Sequence, residues 1–553
     1  LALVDTSWYD KELRTMLSDK STYARCTTMR NNKGREITFD ITKLKKQLME
    51  EFKSIVTNNK QLILDIFEEH GEQIVKYLES NMKLDNINIP EIYLLIKVHK
   101  PKGLCGRPIV PCSRSVTTPA SVLCDHMLQK IIKAARIPWL VKDTKSLIRD
   151  IESDRQLTHD GLLVTGDINS LYTNIHTETG IQLVKDFLSI NNVSIYESKL
   201  IIILLSFVMR NSYLSYKQEV YHQHNGTAMG TACAPSYANI VVYMLEKDFI
   251  NKSINEGKLF NYRRFLDDIK GYIVPSFLEE FKARLNQLHS SLSFEFEHHD
   301  KSIAFLDLVI FKGERFLSES IFDIRVHQKK MNLYLYIPFN SFHPLAAKKS
   351  FIQTELMRYI RNTSSKEHYE QLKMLFFHRL RDRGYPASFL YPLFDSIYYS
   401  DRSWFLLDGD EFEERAKTAT ITRRDCQTSL YPFRSHCLIR KYHRLQQTLG
   451  AYNFRPNVFV IPFSPLSLRV PTQQVLTKYW EMLSYGDVTS TFRRPLIAYQ
   501  SCPSIGSMLV YKKSSTTSTS TATTQTKLHN FFNSFTKNQT TVNSSMPSES
   551  PQL

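Results

Sequence analysis

The chain has 553 residues, 42% of them hydrophobic, and carries 71 Lys plus Arg against 55 Asp plus Glu, a formal charge of +16. That much apolar material suits roughly three or four subdomains, and the positive excess points to a polyanionic partner, nucleic acid ahead of a membrane surface. No apolar run approaches bilayer length, the longest being Leu200 to Met209, and the eight cysteines follow no regular spacing, which fits reduced thiols in a cytosolic or nuclear compartment.

The first ninety or so residues read as helical. Asp40 can cap a helix with the apolar face Ile41, Leu44, Leu48, Phe52 and Ile55, and a second helix is expected from Gln61 to about Met82. Their polar faces carry Lys43, Lys45, Lys46 and Lys53, which read first as a solvated face. The chain begins at Leu1 rather than Met, so the sequence is expected to belong to a longer open reading frame.

At Pro90 the texture becomes extended, Ile92 to Val98, followed by a Lys/Gly/Pro turn and Gly106 to Pro111. Lys97 and Arg107 then stand on facing arms of a hairpin, a clamp suited to a triphosphate. A helix is expected from Thr118 to about Lys133. The next strand starts at Leu162 and leads to Asp167, with Tyr172 five residues on. An apolar strand ending in Asp aims a carboxylate into a cleft; taken alone, Asp167 reads equally as a helix cap and Tyr172 as core.

A helix from Glu197 to Arg210 and a hairpin from Tyr213 to Tyr221 lead to the small-residue loop Gly226 to Asn239, then to a helix from Ile240 to Phe249. Glycines there let backbone approach a ligand closely, yet neither a dinucleotide fingerprint nor a Walker-type phosphate loop is present. Two apolar half-strands from Tyr262 to Ile273 then meet at Asp267 and Asp268, a hairpin with carboxylates at its tip. About one Asp-Asp pair is expected by chance in a chain this long, so alone it reads as a solvated turn. Beyond it, Phe277 to Leu292 reads helical, Phe294 to Phe311 extended and Ser350 to Arg381 helical.

The order carries more than any member of the series: Lys97 and Arg107, then Asp167 with Tyr172, then the Gly/Ala/Ser loop, then Asp267 and Asp268. Two separated carboxylate sites converging on a cleft can hold two divalent metals about 3.5 to 4 Å apart, and basic groups for a leaving pyrophosphate complete a nucleotidyl transferase.

The strings YLLIKVHKP with GRPIV, LVTGDINSLYTNI, NGTAMGTACAPSYANIVVYMLEKDF, YRRFLDDI and IAFLDLVI, with FDITKLKK as a weaker sign, resemble the reverse transcriptase domain of Penelope-like retroelements, relatives of telomerase catalytic subunits. The resemblance reaches to about residue 510, where SFHP, RDRGYP, VIPFSP and RRP with SIGSMLVYKK look like that family's thumb and connector blocks. It implies an α+β right-hand polymerase: fingers, a palm with an antiparallel sheet, and a helical thumb. On that pattern the divisions fall at 1–86 (helical N-terminal extension), 87–160 (fingers), 161–340 (palm), 341–480 (thumb), 481–513 (connector) and 514–553 (tail).

By the same resemblance Asp167 and Asp267 are the main ligands of two Mg2+ or Mn2+ ions, Asp268 is the third carboxylate, and Tyr172 is the steric gate against a ribose 2′-OH. The loop Gly226 to Pro235, Gly230 included, looks like the segment beside the incoming base, and Lys97 and Arg107 like triphosphate contacts. Arg263 and Arg264 either touch the primer or flank the hairpin, while Lys348, Arg358, Arg361 and Lys373 lie near a duplex or are solvated charges. The implied partners are an RNA template, a DNA primer or target, and dNTPs, with no membrane, in a nuclear protein that passes through the cytoplasm.

One departure concerns the GIY-YIG endonuclease that many members carry, since neither of its strings occurs here. A Ser/Thr-rich linker, Ser514 to Thr524, runs instead into Gln525, Leu528, Phe531 and Phe532, whose spacing looks like a motif for the replicative sliding clamp. Cys426, His436, Cys437 and His443 lack a C-x-x-C anchor, so zinc is not expected there. Two other classes stay open: a nucleic-acid-binding protein that kept the fold without activity, and a polymerase that prefers DNA templates.

Overall fold

The computed structural model describes residues 4–26, 39–80, 87–97, 103–154, 160–329, 332–407, 458–462 and 496–500, the last two spans as backbone. The sliding-clamp motif, the Ser/Thr-rich tail, the Cys/His cluster and most of the connector lie outside the described residues. Two compact units emerge, Leu1–Leu333 with Asn362–His368, and Tyr334–Arg361 with Tyr369–Leu553.

In the first unit, α1 (Thr6–Leu17) is followed by β1 (Tyr23–Arg25) and by α2 (Ile41–Asn58), α3 (Lys60–Phe67) and α4 (Gly71–Ser80). Asp40 caps α2 by accepting from the amides of Thr42 and Lys43 at 2.8 and 3.0 Å. Its buried stripe is Leu48, Met49, Phe52 and Val56, rotated slightly from the expected face. The expected helix from Gln61 to Met82 is two helices, broken at Glu68, whose φ of +45° interrupts the helical ladder.

The hairpin β2 (Tyr93–Lys97) and β3 (Cys105–Ile109) packs on α1, where the Leu94 amide donates to the Tyr9 hydroxyl at 2.8 Å. Leu13 and Leu17 of α1, Tyr23 of β1, Leu94 and Val110 share one buried cluster. The apolar face of α1 is thus closed by the hairpin that follows it in the chain. Next come α5 (Thr118–Ala135), α6 (Thr144–Ser153), β4 (Leu162–Ile168), α7 (Leu171–Asn174), α8 (Thr177–Ile190) and α9 (Ile195–Arg210).

β5 (Tyr213–Tyr216) and β6 (Glu219–Gln223) form a sheet with β1, in the order β1-β6-β5. α10 (Ala234–Asn255) begins six residues before the expected start, with Pro235 in its first turn, a position where the missing amide costs nothing. β7 (Leu259–Phe265), β8 (Asp268–Ile273), α11 (Leu278–Asn286) and β9 (Phe294–His299) follow. β10 (Ser302–Phe305), β11 (Leu308–Phe311), α12 (Glu314–Glu319) and β12 (Asp323–Val326) close the unit. α11 stops at Asn286, short of the expected Leu292, as the Asn286 side chain turns to the backbone of Phe294.

The central sheet is antiparallel throughout, in the order β7-β8-β4-β9. Alternation divides it into two faces. One carries Val164, Gly166, Ile269, Arg264 and Phe296 and is covered by α10, α11 and Trp139; the Phe281 and Phe296 rings lie 5.6 Å apart there. The other is closed at one end, where Tyr272 packs on Phe322 and Phe316 at 5.2 and 6.1 Å. At its other end stand the carboxylates.

The second unit holds α13 (Leu345–Arg361), most of α14 (Lys366–Asp382), α15 (Ala387–Phe394) and α16 (Arg402–Phe405), with a parallel backbone pair β13 (Val458–Pro462) and β14 (Leu496–Gln500). The expected helix Ser350 to Arg381 is thus two, α13 and α14. Phe376 sits at the centre of its core, against Tyr336, Tyr359 and Phe394 at 5.1, 5.4 and 5.7 Å.

Candidate active site

Backbone pairing alone gathers the acidic residues. Asp167 on β4 stands directly opposite Asp268 at the start of β8, and Phe265 opposite Asp268 leaves Leu266 and Asp267 as a two-residue turn. The Ile168 amide donates to the Asp267 carbonyl at 3.0 Å, pinning that turn to the end of β4. Asp167 is therefore a strand residue facing another strand, and the cap reading for it falls away. Leu266 lies at φ +55°, a conformation that costs a branched residue on the order of 1–3 kcal/mol.

What holds that turn is Arg264, one residue inside β7 and fully buried. Its guanidinium donates to the Leu266 carbonyl at 3.2 Å, to the Asn239 side chain at 3.0 Å and backbone at 3.1 Å, and to Glu246 on α10 at 2.9 Å. Trp139 and Tyr262 also donate to Glu246, at 2.7 and 2.9 Å, so the buried charge pair is enclosed by hydrogen bonds. Arg263 pairs with Asp150 at 3.0 Å. Both arginines thus brace the hairpin, and the primer reading for Arg264 is excluded by its burial.

The carboxylates feel one another. The Asp268 carboxyl is pushed up to about 6 by burial first and then by the charges of Asp267 and Asp167, against the pull of Lys329 and Arg107. The Tyr172 phenol, on the short helix α7, is pushed up to about 12 by burial and then by Asp267, with Arg107 opposing. Asp167, Asp267, Asp268, Tyr172 and Arg107 therefore share one electrostatic neighbourhood, although 60 residues separate Arg107 from Asp167 in sequence.

Arg107 stands opposite Leu95, and Lys97 opposite Cys105, so both cations lie on the same face of the hairpin. Arg107 is exposed and Lys97 half-buried, next to residues outside the described set. Gly230, at φ +140°, packs its Cα against the Val110 carbonyl just past β3, where a side chain would clash with backbone. It meets the hairpin, and its neighbour Met229 accepts from the Val110 amide at 2.9 Å.

Two residues join the site that sequence reading did not single out. Glu295 on β9 lies opposite Asp167 on the side away from Asp268, extending the acidic rung across three strands. The alternation Phe-Glu-Phe-Glu was its only local signal, and without knowing which strand paired with β4 it pointed nowhere. Lys329 follows β12, and its charge reaches Asp268.

In the second unit, Lys348 is buried, its ammonium donating to the carbonyls of Phe339 and Ser341 at 2.6 and 2.7 Å, which removes it from the set of duplex contacts. Arg358 pairs with Glu355 at 2.7 Å and Lys373 with Glu370 at 3.9 Å. Arg361 ends α13.

Among the described residues no three His, Cys, Asp or Glu side chains are drawn together as a ready-made metal-ligand set, so the aspartates form a charged rung rather than a closed cage. The donor chemistry fits a hard divalent cation: carboxylate oxygens gathered at one sheet end, where burial and then mutual repulsion raise the Asp268 pKa. Likewise no described helix is long and apolar enough to cross a membrane.

A family model described as an animal helix-turn-helix domain matches residues 335–393. No curated protein matches the chain. Among solved structures, the chain is similar to telomerase from Candida albicans in complex with a fragment of telomeric RNA, at 12% identity and a TM-score of 0.43, covering 70% of this chain and 69% of that one. Apo telomerase from Candida tropicalis gives 12% identity and a TM-score of 0.35, with 54% and 57% covered. The BmCPV RNA-dependent RNA polymerase at its elongation state gives 12% and 0.34, with 64% and 34% covered. The chain thus spans less than two thirds of the latter two proteins.

Proposed function

We propose that the acidic rung is the catalytic centre of a template-directed nucleotidyl transferase, and that the protein is an RNA-directed DNA polymerase of the Penelope-like type. The observation that carries this reading is the convergence of Asp167, Asp267 and Asp268 at one sheet end with Tyr172 and Arg107 in the same electrostatic neighbourhood. A solvated turn would need none of those neighbours.

In this reading Asp167 and Asp267, with Asp268 as third carboxylate, would hold two Mg2+ or Mn2+ ions, which supply charge stabilisation to the attacking and leaving oxygens of an in-line displacement. Arg107 and Lys97 bind and orient the triphosphate, with Arg107 well suited to forked contact with phosphate oxygens. Tyr172 is the wall against which the sugar is read, a bulky ring that, like any tyrosine, is neutral at neutral pH. Gly230 belongs to the loop beside the nucleotide, and having no side chain it lets that loop close against the hairpin that carries Arg107.

The partners that follow are an RNA template, a DNA primer or target, and dNTPs, with retrotransposition as the biological setting and the nucleus as the working compartment. The sequence at Gln525, Leu528, Phe531 and Phe532 adds a tether to the replicative sliding clamp, resting on spacing alone.

The test is magnesium-dependent extension of a DNA primer on matched RNA and DNA templates, with the intact chain beside Asp267→Ala. Extension on RNA that falls at least about 10²-fold in the variant is expected. Tight duplex binding with no extension on either template would replace this reading with that of a binding protein; extension on DNA templates only would make it a DNA-templated polymerase.

A further inference from the structure

Tyr172 is held by a segment far from it in sequence. The Thr227 amide donates to the Tyr172 carbonyl at 2.6 Å, and the Gly226 amide donates to the Ile175 carbonyl at 2.9 Å. Gly226 is at φ +73°, and a side-chain carbon there would stand 2.5 Å from the Tyr172 carbonyl oxygen and 2.6 Å from the Thr173 Cα. These distances fall well inside van der Waals contact, and the atoms met are backbone, which cannot swing aside as a side-chain tip can. Upstream of the glycine, the Thr177 hydroxyl donates to the His224 carbonyl at 3.0 Å, clamping the start of the loop to α8.

The far end of the same loop is anchored to a different element. Met229 accepts from the Val110 amide at 2.9 Å, and Gly230 packs against the Val110 carbonyl. Val110 lies three residues beyond Arg107. Loop 226–230 is therefore strung between the short helix that carries Tyr172 and the hairpin that carries Arg107.

We propose that loop 226–230 is a specificity-determining strut: by fixing the Tyr172 backbone relative to the Arg107 hairpin, it sets how closely the tyrosine wall approaches the sugar of a nucleotide. This rests on the polymerase reading above and assigns sugar discrimination to a positioning pair, Gly226 and Thr227, as well as to the wall itself. A triphosphate anchored at one end and a ring abutting the sugar at the other discriminate a single hydroxyl only if their separation holds to a fraction of an ångström. Two backbone hydrogen bonds and a side-chain-free contact supply that constraint, where side-chain packing would allow drift.

The experiment measures kcat/KM for single incorporation of a deoxynucleotide and of its ribonucleotide on one primer–template, for the intact chain, Gly226→Ala, Tyr172→Ala and the double variant. Gly226→Ala is expected to lower the deoxy-to-ribo ratio about tenfold, and to leave the ratio of Tyr172→Ala unchanged, because the strut acts only through the wall. A merely structural lesion would slow both sugars alike and add to the tyrosine variant. Should Gly226→Ala not fold, Thr177→Val, which frees the loop's upstream clamp without adding bulk, is expected to lower the ratio in the same direction. An unchanged ratio in an active, folded variant overturns this proposal alone, whereas absence of extension by the intact chain overturns the polymerase reading and this one with it.

Discussion

Arg264 and Glu246 form an ion pair from which both side chains are wholly excluded from solvent, with Nε 2.9 Å from Oε1, directly beneath the turn that presents Asp267. Removing one member strands the other charge in a low-dielectric interior. Glu246→Ala is therefore expected to destabilise the first unit by about 3–5 kcal/mol, read as a fall in the urea or thermal midpoint. A change below 1 kcal/mol would mean that water reaches Arg264.

Glu295 adds a further carboxylate beside Asp167, on the side away from Asp268. Neutralising an exposed charge changes the local field modestly, so Glu295→Gln is expected to raise the Mg2+ concentration for half-maximal extension by about two- to fivefold and to leave folding intact. A titration of activity against Mg2+ reads this, and an unshifted midpoint would place Glu295 outside the cation's field.

Arg107 shares the carboxylate neighbourhood from another element, and the fork of a guanidinium matches the oxygens of the departing phosphates. Arg107→Ala is expected to raise the nucleotide KM about tenfold with a smaller effect on kcat. Steady-state kinetics with varied dNTP separates the two; a loss confined to kcat would move Arg107 to the reacting end.

Asp125 on α5 accepts from Ser236 on α10 at 2.6 Å and from Gln129 at 2.7 Å, yet burial pushes its carboxyl up to about 6. The folded state then holds a proton that the unfolded chain releases near pH 4. The stabilisation is full below about pH 4 and is lost as pH rises through about 6. Asp125→Asn is expected to flatten the stability profile across that window and to stabilise the protein at pH 7. Denaturation midpoints at pH 4, 5, 6 and 7 check this, and an unaltered slope in the variant would refute the assignment.

Much of this molecule was legible residue by residue. Asp40 as a cap, the hairpin meeting at Asp267 and Asp268, the strand delivering Asp167, and the paired arms of Lys97 and Arg107 are all written in turn residues and in periods of two or 3.6, which depend only on near neighbours. Helix breaks were read less well: the break at Glu68 sits among helix-forming residues with Gly71 as its one local sign, and the division of α13 from α14 falls on Asn362-Thr363-Ser364-Ser365, a loop and cap signal that the apolar periodicity on either side outweighed.

The sequence by itself thus determined which candidate residues stand on which strand, turn or hairpin arm and in what order, because hydrophobic period and turn preference act over a few residues. Only the tertiary structure decided their company. β9 beside β4 put Glu295 next to Asp167; α10 beneath β7 turned Arg264 from a candidate primer contact into a buried brace; and loop 226–230 grasped the Tyr172 turn. Lys348 likewise donates its ammonium hydrogens to two backbone carbonyls rather than to solvent. Such pairings join residues tens to hundreds of positions apart, and whether a charge is buried or exposed depends on the partner that the fold brings to it.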